Sequence, residues 1–368
     1  MTERHVLVMA GGSGTRLWPA SIPERPKHLI GLGPGAPSLL AATLERARAL
    51  VGDGGLWVIT TEAQRPAILD AHPELRPEQV LAEPRGRNTA AAIMYALLQI
   101  RAAVWRSGFG ADEAVVIALP ADHHIAAPSA LLTALERGID EAAEHHTIVT
   151  LGIHPTRADT GYGYIEHDGE PLDPRVQPPV YPVRRFVEKP PAEQAALFLA
   201  TGRFLWNAGI FVLPLARTLS AIHEHAPELA AAFAPVTVAL EDEDADREAA
   251  LVAAYAAVPA LPIDIALMEK LRDLRVIPVS VGWNDLGSWA AIHEASDHDD
   301  QGNSILLDGA ARVHVVDSRD NLIWSEGQEI ALIGVSHLAV VAVDGKLLIC
   351  PLNRAQEVRA IAQASRAE

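Results

Sequence analysis

Cysteine is all but missing from this sequence: Cys350 is the only one in 368 residues. An intramolecular disulfide is therefore impossible and a four-thiolate zinc site is excluded, so a reducing, cytoplasmic setting is expected. No apolar run reaches the roughly 18 residues that a membrane-spanning helix requires, and no membrane partner is expected. Met1-Thr2-Glu3-Arg4-His5 leads straight into an apolar run without a small-residue cleavage site, so no secretory leader is expected. Positive charge is scarce: 30 Lys and Arg face 47 Asp and Glu, for a formal net charge of −17. A surface this acidic repels nucleic acid and anionic membranes. Any phosphorylated ligand must then be held where the few cations are concentrated, or where a metal is brought in. The isolated basic residues in Gly-rich and Pro-rich loops therefore carry more information than the overall balance.

What is present reads as two domains, since the length exceeds one typical core. His5–Ala10 (HVLVMA) is a continuous apolar run, as in a strand buried on both faces. Strand-like runs recur at 56–61, 79–83, 114–120 and 147–153, and helical spacing fills 38–51, 63–71, 89–107 and 129–145. This alternation predicts an α/β fold with a doubly wound, mostly parallel sheet. After about Pro155 the pattern loosens. GYGYIEH (161–167) and VYPVRRFVEKP (180–190) suggest β-ribbon, GIFVLP (209–214) another strand, and 215–274 Ala-rich helix. The charge run EDEDADRE (241–248) is read as a solvated helix start or loop. From Asn303 on, short β runs spaced by turn residues, then a last helix over about 354–365, predict a small β domain. The expected division is a first domain over 1–294 and a C-terminal β domain with a terminal helix over 295–368.

Four loops carry the chemistry. Ala10-Gly11-Gly12-Ser13-Gly14-Thr15-Arg16 follows the first strand, where a glycine-rich turn lets backbone N–H groups approach phosphate. It lacks the Gly-Lys-Ser/Thr ending of a P-loop, and Leu17 stands where a dinucleotide fingerprint needs its third glycine. Arg16 offers a planar fork that can bridge two phosphates, although a plain tight turn explains the glycines equally well. In Arg25-Pro26-Lys27-His28, Pro26 stiffens the backbone before Lys27, which is otherwise an ordinary loop lysine. In Glu83-Pro84-Arg85-Gly86-Arg87-Asn88-Thr89, Asn88 or Thr89 could cap the next helix or read a base edge. Asp122, in Leu119-Pro120-Ala121-Asp122-His123-His124, ends an apolar strand, where open α/β sheets bind ligands and where a carboxylate can hold Mg²⁺. The neighbouring His123 and His124 point opposite ways in an extended segment and are not read as a zinc pair. Gly161-Tyr162-Gly163-Tyr164, Phe186-Val187-Glu188-Lys189-Pro190 and Leu205-Trp206-Asn207-Ala208-Gly209 each offer a polar group that could meet a sugar hydroxyl. Asp285, in Gly282-Trp283-Asn284-Asp285-Leu286-Gly287-Ser288-Trp289, is a second carboxylate in a Gly/Trp turn. Core packing is the preferred reading of Trp289.

Taken in this order, these segments resemble the sugar-nucleotidyltransferase family, most closely its mannose-1-phosphate guanylyltransferase branch, over nearly the whole chain. The Leu17-Trp18-Pro19 ending of the first loop and Ile263-Asp264 with Met268-Glu269-Lys270 belong to the likeness. The resemblance implies GTP and mannose 1-phosphate as partners, with Mg²⁺ as cofactor and Mn²⁺ as its alternative. Ala10, Gly11, Gly12, Ser13, Gly14, Thr15 and Arg16 would cradle the triphosphate and Lys27 would help neutralise it. Glu83, Asn88 and Thr89 would meet guanine. Tyr162, Gly163, Glu188, Lys189, Asn207 and Gly209 would face the sugar phosphate, and Asp122 and Asp285 would hold the metal. Arg16, Lys27, Asp122 and Asp285 are the implied catalytic group, and a homodimer is expected through the C-terminal β segment. One departure is His28, where the family usually has Gln. The competing expectations are a UTP- or dTTP-dependent glucose-1-phosphate enzyme, or a non-catalytic regulatory subunit that binds sugar nucleotides.

Overall fold

Alternation along the first strand sets the architecture. In the computed structural model, which describes residues 2–12, 14–242 and 244–364, strand β1 (Glu3–Met9) sends Leu7 into one hydrophobic cluster and Val6 and Val8 into another. The chain continues through α1 (Leu39–Val51), β2 (Leu56–Thr61), α2 (Arg65–Ala71), β3 (Val80–Glu83), α3 (Asn88–Arg106), β4 (Ala114–Pro120), the short β5 (His124–Ile125), α4 (Pro128–His145) and β6 (Val149–Ile153). Then come β7 (Tyr164–His167), β8 (Tyr181–Val187), α5 (Ala192–Thr201), β9 (Phe204–Pro214), α6 (Leu215–His225), α7 (Pro227–Glu241), α8 (Arg247–Ala257), α9 (Ile263–Ala266), β10 (Arg275–Val279), the short β11 (Trp283–Asn284) and α10 (Trp289–Ala295). One sheet runs in the order β3-β2-β1-β4-β9-β6-β10-β8-β7. α3, α6, α7 and α8 cover one face and α1, α2 and α4 the other. This is an α/β arrangement, a central sheet with helices on both faces.

The sheet is mixed. β3, β2, β1 and β4 are mutually parallel, and β10 is parallel to β6, but β9 runs antiparallel between β4 and β6. β9 also begins earlier than its apolar stretch at 209–214 suggests, at Phe204. Asn207 breaks the apolar run, and Gly209 adopts a left-handed φ of 64° where the register with β6 shifts. Since β1 to β4 are parallel, their carboxyl ends gather on one edge, where Met9 pairs with both Ile59 and Pro120. Ligands of open α/β sheets bind at that edge.

The remaining strands are β12 (Ser304–Leu307), β13 (Arg312–Val316), β14 (Leu322–Ser325), β15 (Glu329–Ile333), β16 (Leu338–Val343) and β17 (Lys346–Pro351), closed by α11 (Val358–Ala364). β12, β14 and β16 stack in parallel, as do β13 and β15, in a β-helix-like coil; β17 folds back antiparallel. Buried asparagines stack at its corner: Asn321 Nδ2 donates to Asn303 Oδ1 at 3.0 Å, and Asn321 Oδ1 accepts from the Leu338 N–H at 3.0 Å. Leu322, Trp324 and Val341 of this coil share a core with Leu17, Ala20 and Ile30 of the first loops and with Trp289 and Ile292. Trp289 is fully buried, packs edge-on against Trp324 at 5.5 Å and donates its indole N–H to the Trp18 carbonyl at 3.0 Å. Among the described residues no helix is long and apolar enough to cross a membrane.

Candidate active site

A cavity of about 510 Å³ opens at the carboxyl edge of the parallel strands. Gly11 and Gly12 lie on its wall directly after β1. The loop is held from two sides. Thr60 Oγ1 donates to the Ala10 carbonyl at 2.8 Å, and Gln64 Nε2 donates to the Gly12 carbonyl at 3.2 Å. Gly14 takes φ 55°, and a Cβ there would stand 2.5 Å from the Lys27 Cβ, so only glycine lets this loop press on Lys27. Ser13 lies outside the described residues. Ala10 is buried beneath the loop rather than on the wall. Thr15 and Arg16 are not on the wall either, and the Arg16 side chain is exposed.

Lys27 is the hub. Its side chain is 10% exposed, and its ammonium donates to Asp122 Oδ2 at 2.6 Å and to the Asp285 carbonyl at 2.5 Å. The short ribbon formed by β5 and β11 brings the two aspartates together: Asn284 pairs with His124 and Trp283 with Ile125. Asp122 and Asp285 flank this ribbon on the same cavity wall. Burial raises the Asp122 pKa, but the Lys27 ammonium outweighs it and holds the carboxyl at about 2. Asp285 Oδ1 accepts from the Tyr162 hydroxyl at 2.9 Å and from the Gly287 N–H at 3.3 Å. Burial first, then the Asp285 carboxylate, pushes the Tyr162 hydroxyl pKa far up, so it stays a proton donor. His123 receives the Trp283 indole N–H at Nδ1, 3.1 Å away, and burial lowers its pKa, keeping the ring neutral. The non-standard His28 is also buried, and burial lowers its pKa to about 4, so it adds no charge beside Lys27.

Two ionised or ionisable carboxylates facing one space suit an oxygen-seeking divalent cation. Among the described residues no group of three or more His, Cys, Asp and Glu could hold a metal by itself. Two carboxylates alone leave most positions of a Mg²⁺ ion to water or phosphate oxygens, which is how such a pair would hold one.

On the side of β2, β3 and α3, the wall is made by Ile59, Thr61, Glu83, Gly86, Asn88 and Thr89. Neither Asn88 nor Thr89 caps α3. Asn88 is the first helical residue, with φ 66°, and its Oδ1 accepts from the Thr89 N–H at 2.8 Å. Thr89 Oγ1 accepts from the Ile263 N–H at 2.9 Å, tying the start of α3 to α9. Glu83 is 5% exposed, and its Oε1, beside the Tyr255 hydroxyl, completes no hydrogen bond. Burial raises its pKa from 4.5 to about 7. The folded state therefore binds this proton more tightly, and the stability it contributes is present below about pH 4.5 and lost as pH rises through 7. Glu83→Gln, which has no charge to desolvate, is expected to gain on the wild type by on the order of 2 kcal/mol between pH 4.5 and pH 8. Urea unfolding of both proteins at the two pH values measures this, and a difference independent of pH refutes it.

On the opposite side stand Tyr162, Gly163, Glu188, Asn207, Gly209 and Asp264. A Cβ on Gly163 would lie 2.7 Å from Glu188 Oε2, so the glycine admits that carboxylate. Asn207 is locked: Oδ1 accepts from the Gly209 N–H at 2.9 Å and Nδ2 donates to Asp264 Oδ1 at 2.8 Å. Burial, then the Glu188 charge, raises the Asp264 pKa to about 6. Lys189 is the expected sugar-phosphate residue that the structure leaves off the wall. Its side chain is 61% exposed and its ammonium pairs with Glu188 Oε1 at 2.5 Å. Sequence reasoning placed no role on Asp264, His123 or Trp283, all of which line the cavity. Ile263-Asp264 stood in the sequence only as part of the family likeness, with nothing local to say that its carboxylate reaches Asn207.

A glycine loop, a lysine held between two aspartates and a polar pocket on each side thus gather at one edge of the sheet. The chain belongs to the nucleotidyl transferase family, which it matches over residues 5–302, and residues 311–364 match the MannoseP isomerase/GMP-like β-helix domain. It is 35% identical over 356 residues to the mannose-1-phosphate guanylyltransferase of Escherichia coli, covering 96% of this chain and 72% of that protein. It is 34% identical over 363 residues to the xanthan biosynthesis protein XanB of Xanthomonas campestris, covering 98% and 73%. A solved Thermus thermophilus structure, described as mannose-1-phosphate geranyltransferase, superposes with a TM-score of 0.83 at 31% identity, covering 99% of this chain and all of that one.

Proposed function

We propose that this enzyme transfers GMP from GTP to mannose 1-phosphate, releasing pyrophosphate and forming GDP-mannose. The observation that carries the reading is the Lys27–Asp122–Asp285 cluster, whose two aspartates share the cavity wall with Gly11 and Gly12 and with Asn207. A phosphate oxygen of the sugar 1-phosphate attacks the α-phosphorus of GTP, the bond from that phosphorus to the bridging oxygen of the β-phosphate breaks, and pyrophosphate leaves. The nucleophile is already an anion, so no general base is needed, and the protein's work is positioning and charge stabilisation. Asp122 and Asp285 would hold Mg²⁺, or Mn²⁺, which would screen the repulsion between the two anionic substrates. Gly11 and Gly12 let the triphosphate approach the backbone, Lys27 offers a counter-charge, and the locked Asn207 amide with Glu188 and Asp264 faces the sugar. Names of relatives at 33–36% identity support guanine and mannose as the substrate pair. Exposed Val316, Ile333, Leu347 and Ile349 on the C-terminal coil support a homodimer.

Pyrophosphate release with Mg²⁺ tests the reading, using GTP, UTP, dTTP and ATP against mannose and glucose 1-phosphates. The highest rate is expected for GTP with mannose 1-phosphate. A highest rate with UTP or dTTP overturns the nucleotide assignment, and a highest rate with glucose 1-phosphate overturns the sugar.

A further inference from the structure

The Asp122 carboxylate already has a cation of the chain's own beside it, held also by the main chain of Asp285. The Lys27 ammonium lies 2.6 Å from Asp122 Oδ2 and 2.5 Å from the Asp285 main-chain carbonyl, so a divalent cation that reached the Asp122 carboxylate would meet a positive charge already beside it. The backbone beneath it is pinned. Pro26 precedes it, its carbonyl accepts from the Ile30 N–H at 3.0 Å, and Gly14 presses on its Cβ. The four-carbon stem leaves only the head free to swing. Asp285 has one carboxylate oxygen engaged by Tyr162 and Gly287, and Asp122 has Oδ1 4.0 Å from a ring His123 keeps neutral. Lys27 is thus the strongest partner Asp122 has in the described chain.

We propose that the Lys27 ammonium and a divalent cation are alternative occupants of the Asp122–Asp285 seat. The lysine plugs the seat in the nucleotide-free enzyme and must swing off Asp122 before the cation can settle. This rests on the metal reading of the two aspartates given above. Like charges a few ångströms apart in a partly desolvated cleft repel strongly, so cation binding to the free enzyme is weak. A triphosphate entering past Gly11 and Gly12 supplies the anion that draws the lysine away. Lys27 then has two successive partners, an aspartate at rest and phosphate when the nucleotide is bound, and cation and nucleotide binding are coupled through it. The Asp122 carboxylate is then neutralised in both states, by the lysine at rest and by the cation when the nucleotide is bound.

The test is titration of nucleotide-free protein with Mn²⁺, reading unbound Mn²⁺ by electron paramagnetic resonance, for wild type, Lys27→Met, Lys27→Gln, Asp122→Asn and Asp285→Asn. Thermal unfolding confirms which variants are folded, and Lys27→Gln serves if the methionine variant is not. Removing the lysine charge is expected to tighten Mn²⁺ binding about 10-fold or more, while each asparagine weakens it. Unchanged or weaker binding on loss of the lysine charge, with the asparagine variants still weakened, overturns the plug and leaves the seat standing. Mn²⁺ binding that ignores Asp122→Asn and Asp285→Asn overturns the seat, and the plug with it.

Discussion

Asp122→Asn is expected to lower kcat about 10²–10³-fold, the usual cost of removing one preorganised electrostatic group from a transfer site. The substitution keeps the size and shape of the side chain, so the effect follows from charge. Asp122 is the ionised partner of a lysine whose side chain is only 10% exposed. Removing its charge leaves that ammonium in a poorly solvated place with only the Asp285 carbonyl. A further loss of about 1–3 kcal/mol of stability is therefore expected. The two consequences are separable. Asp122→Asn/Lys27→Met removes the stranded charge as well, so it should recover most of the lost stability and none of the lost turnover. Chemical denaturation and pyrophosphate release on the two single variants and the double variant measure both. Turnover restored in the double variant, or kcat within a few-fold of wild type in Asp122→Asn, rules out the assigned role.

The largest expected stability effect lies elsewhere, at Trp289→Ala, with a loss of about 3–5 kcal/mol. Trp289 is completely buried, contacts Trp324 of the C-terminal coil and donates to the Trp18 carbonyl. Its removal leaves a cavity among the coil, α10 and the first loop, together with a carbonyl that has lost its donor. Trp105→Ala is the control: that side chain is 69% exposed, and a change within about 0.5 kcal/mol is expected. Urea unfolding of both variants settles the comparison, and a small effect at Trp289 would mean the coil does not stabilise the first loop. The same packing gives the Leu17-Trp18-Pro19 ending a physical meaning. Leu17 is buried in the core shared with the coil, and Trp18 packs against that core. That ending marks docking of the C-terminal coil, and none of its three residues lines the cavity.

Much of the fold was legible because its signals are local. Continuous apolar runs marked β1 and β4 as strands buried on both faces, the glycine turn marked the end of β1, and Asp122 lay just past β4. Periodicity and turn chemistry act over a few residues, so they survive in a bare sequence. The direction and start of β9 did not, because its interruption at Asn207 and Gly209 looks like a loop until β4 and β6 pair with it on either side. The site divides in the same way. Sequence alone determined that there is a glycine loop, a lysine behind a proline and two carboxylates in turns. Only the tertiary structure decided that Lys27 meets an aspartate carbonyl 258 positions away and that Asp264 locks Asn207. Those outcomes depend on the β5–β11 pairing and on the path of β9, contacts between distant segments whose geometry no local pattern encodes.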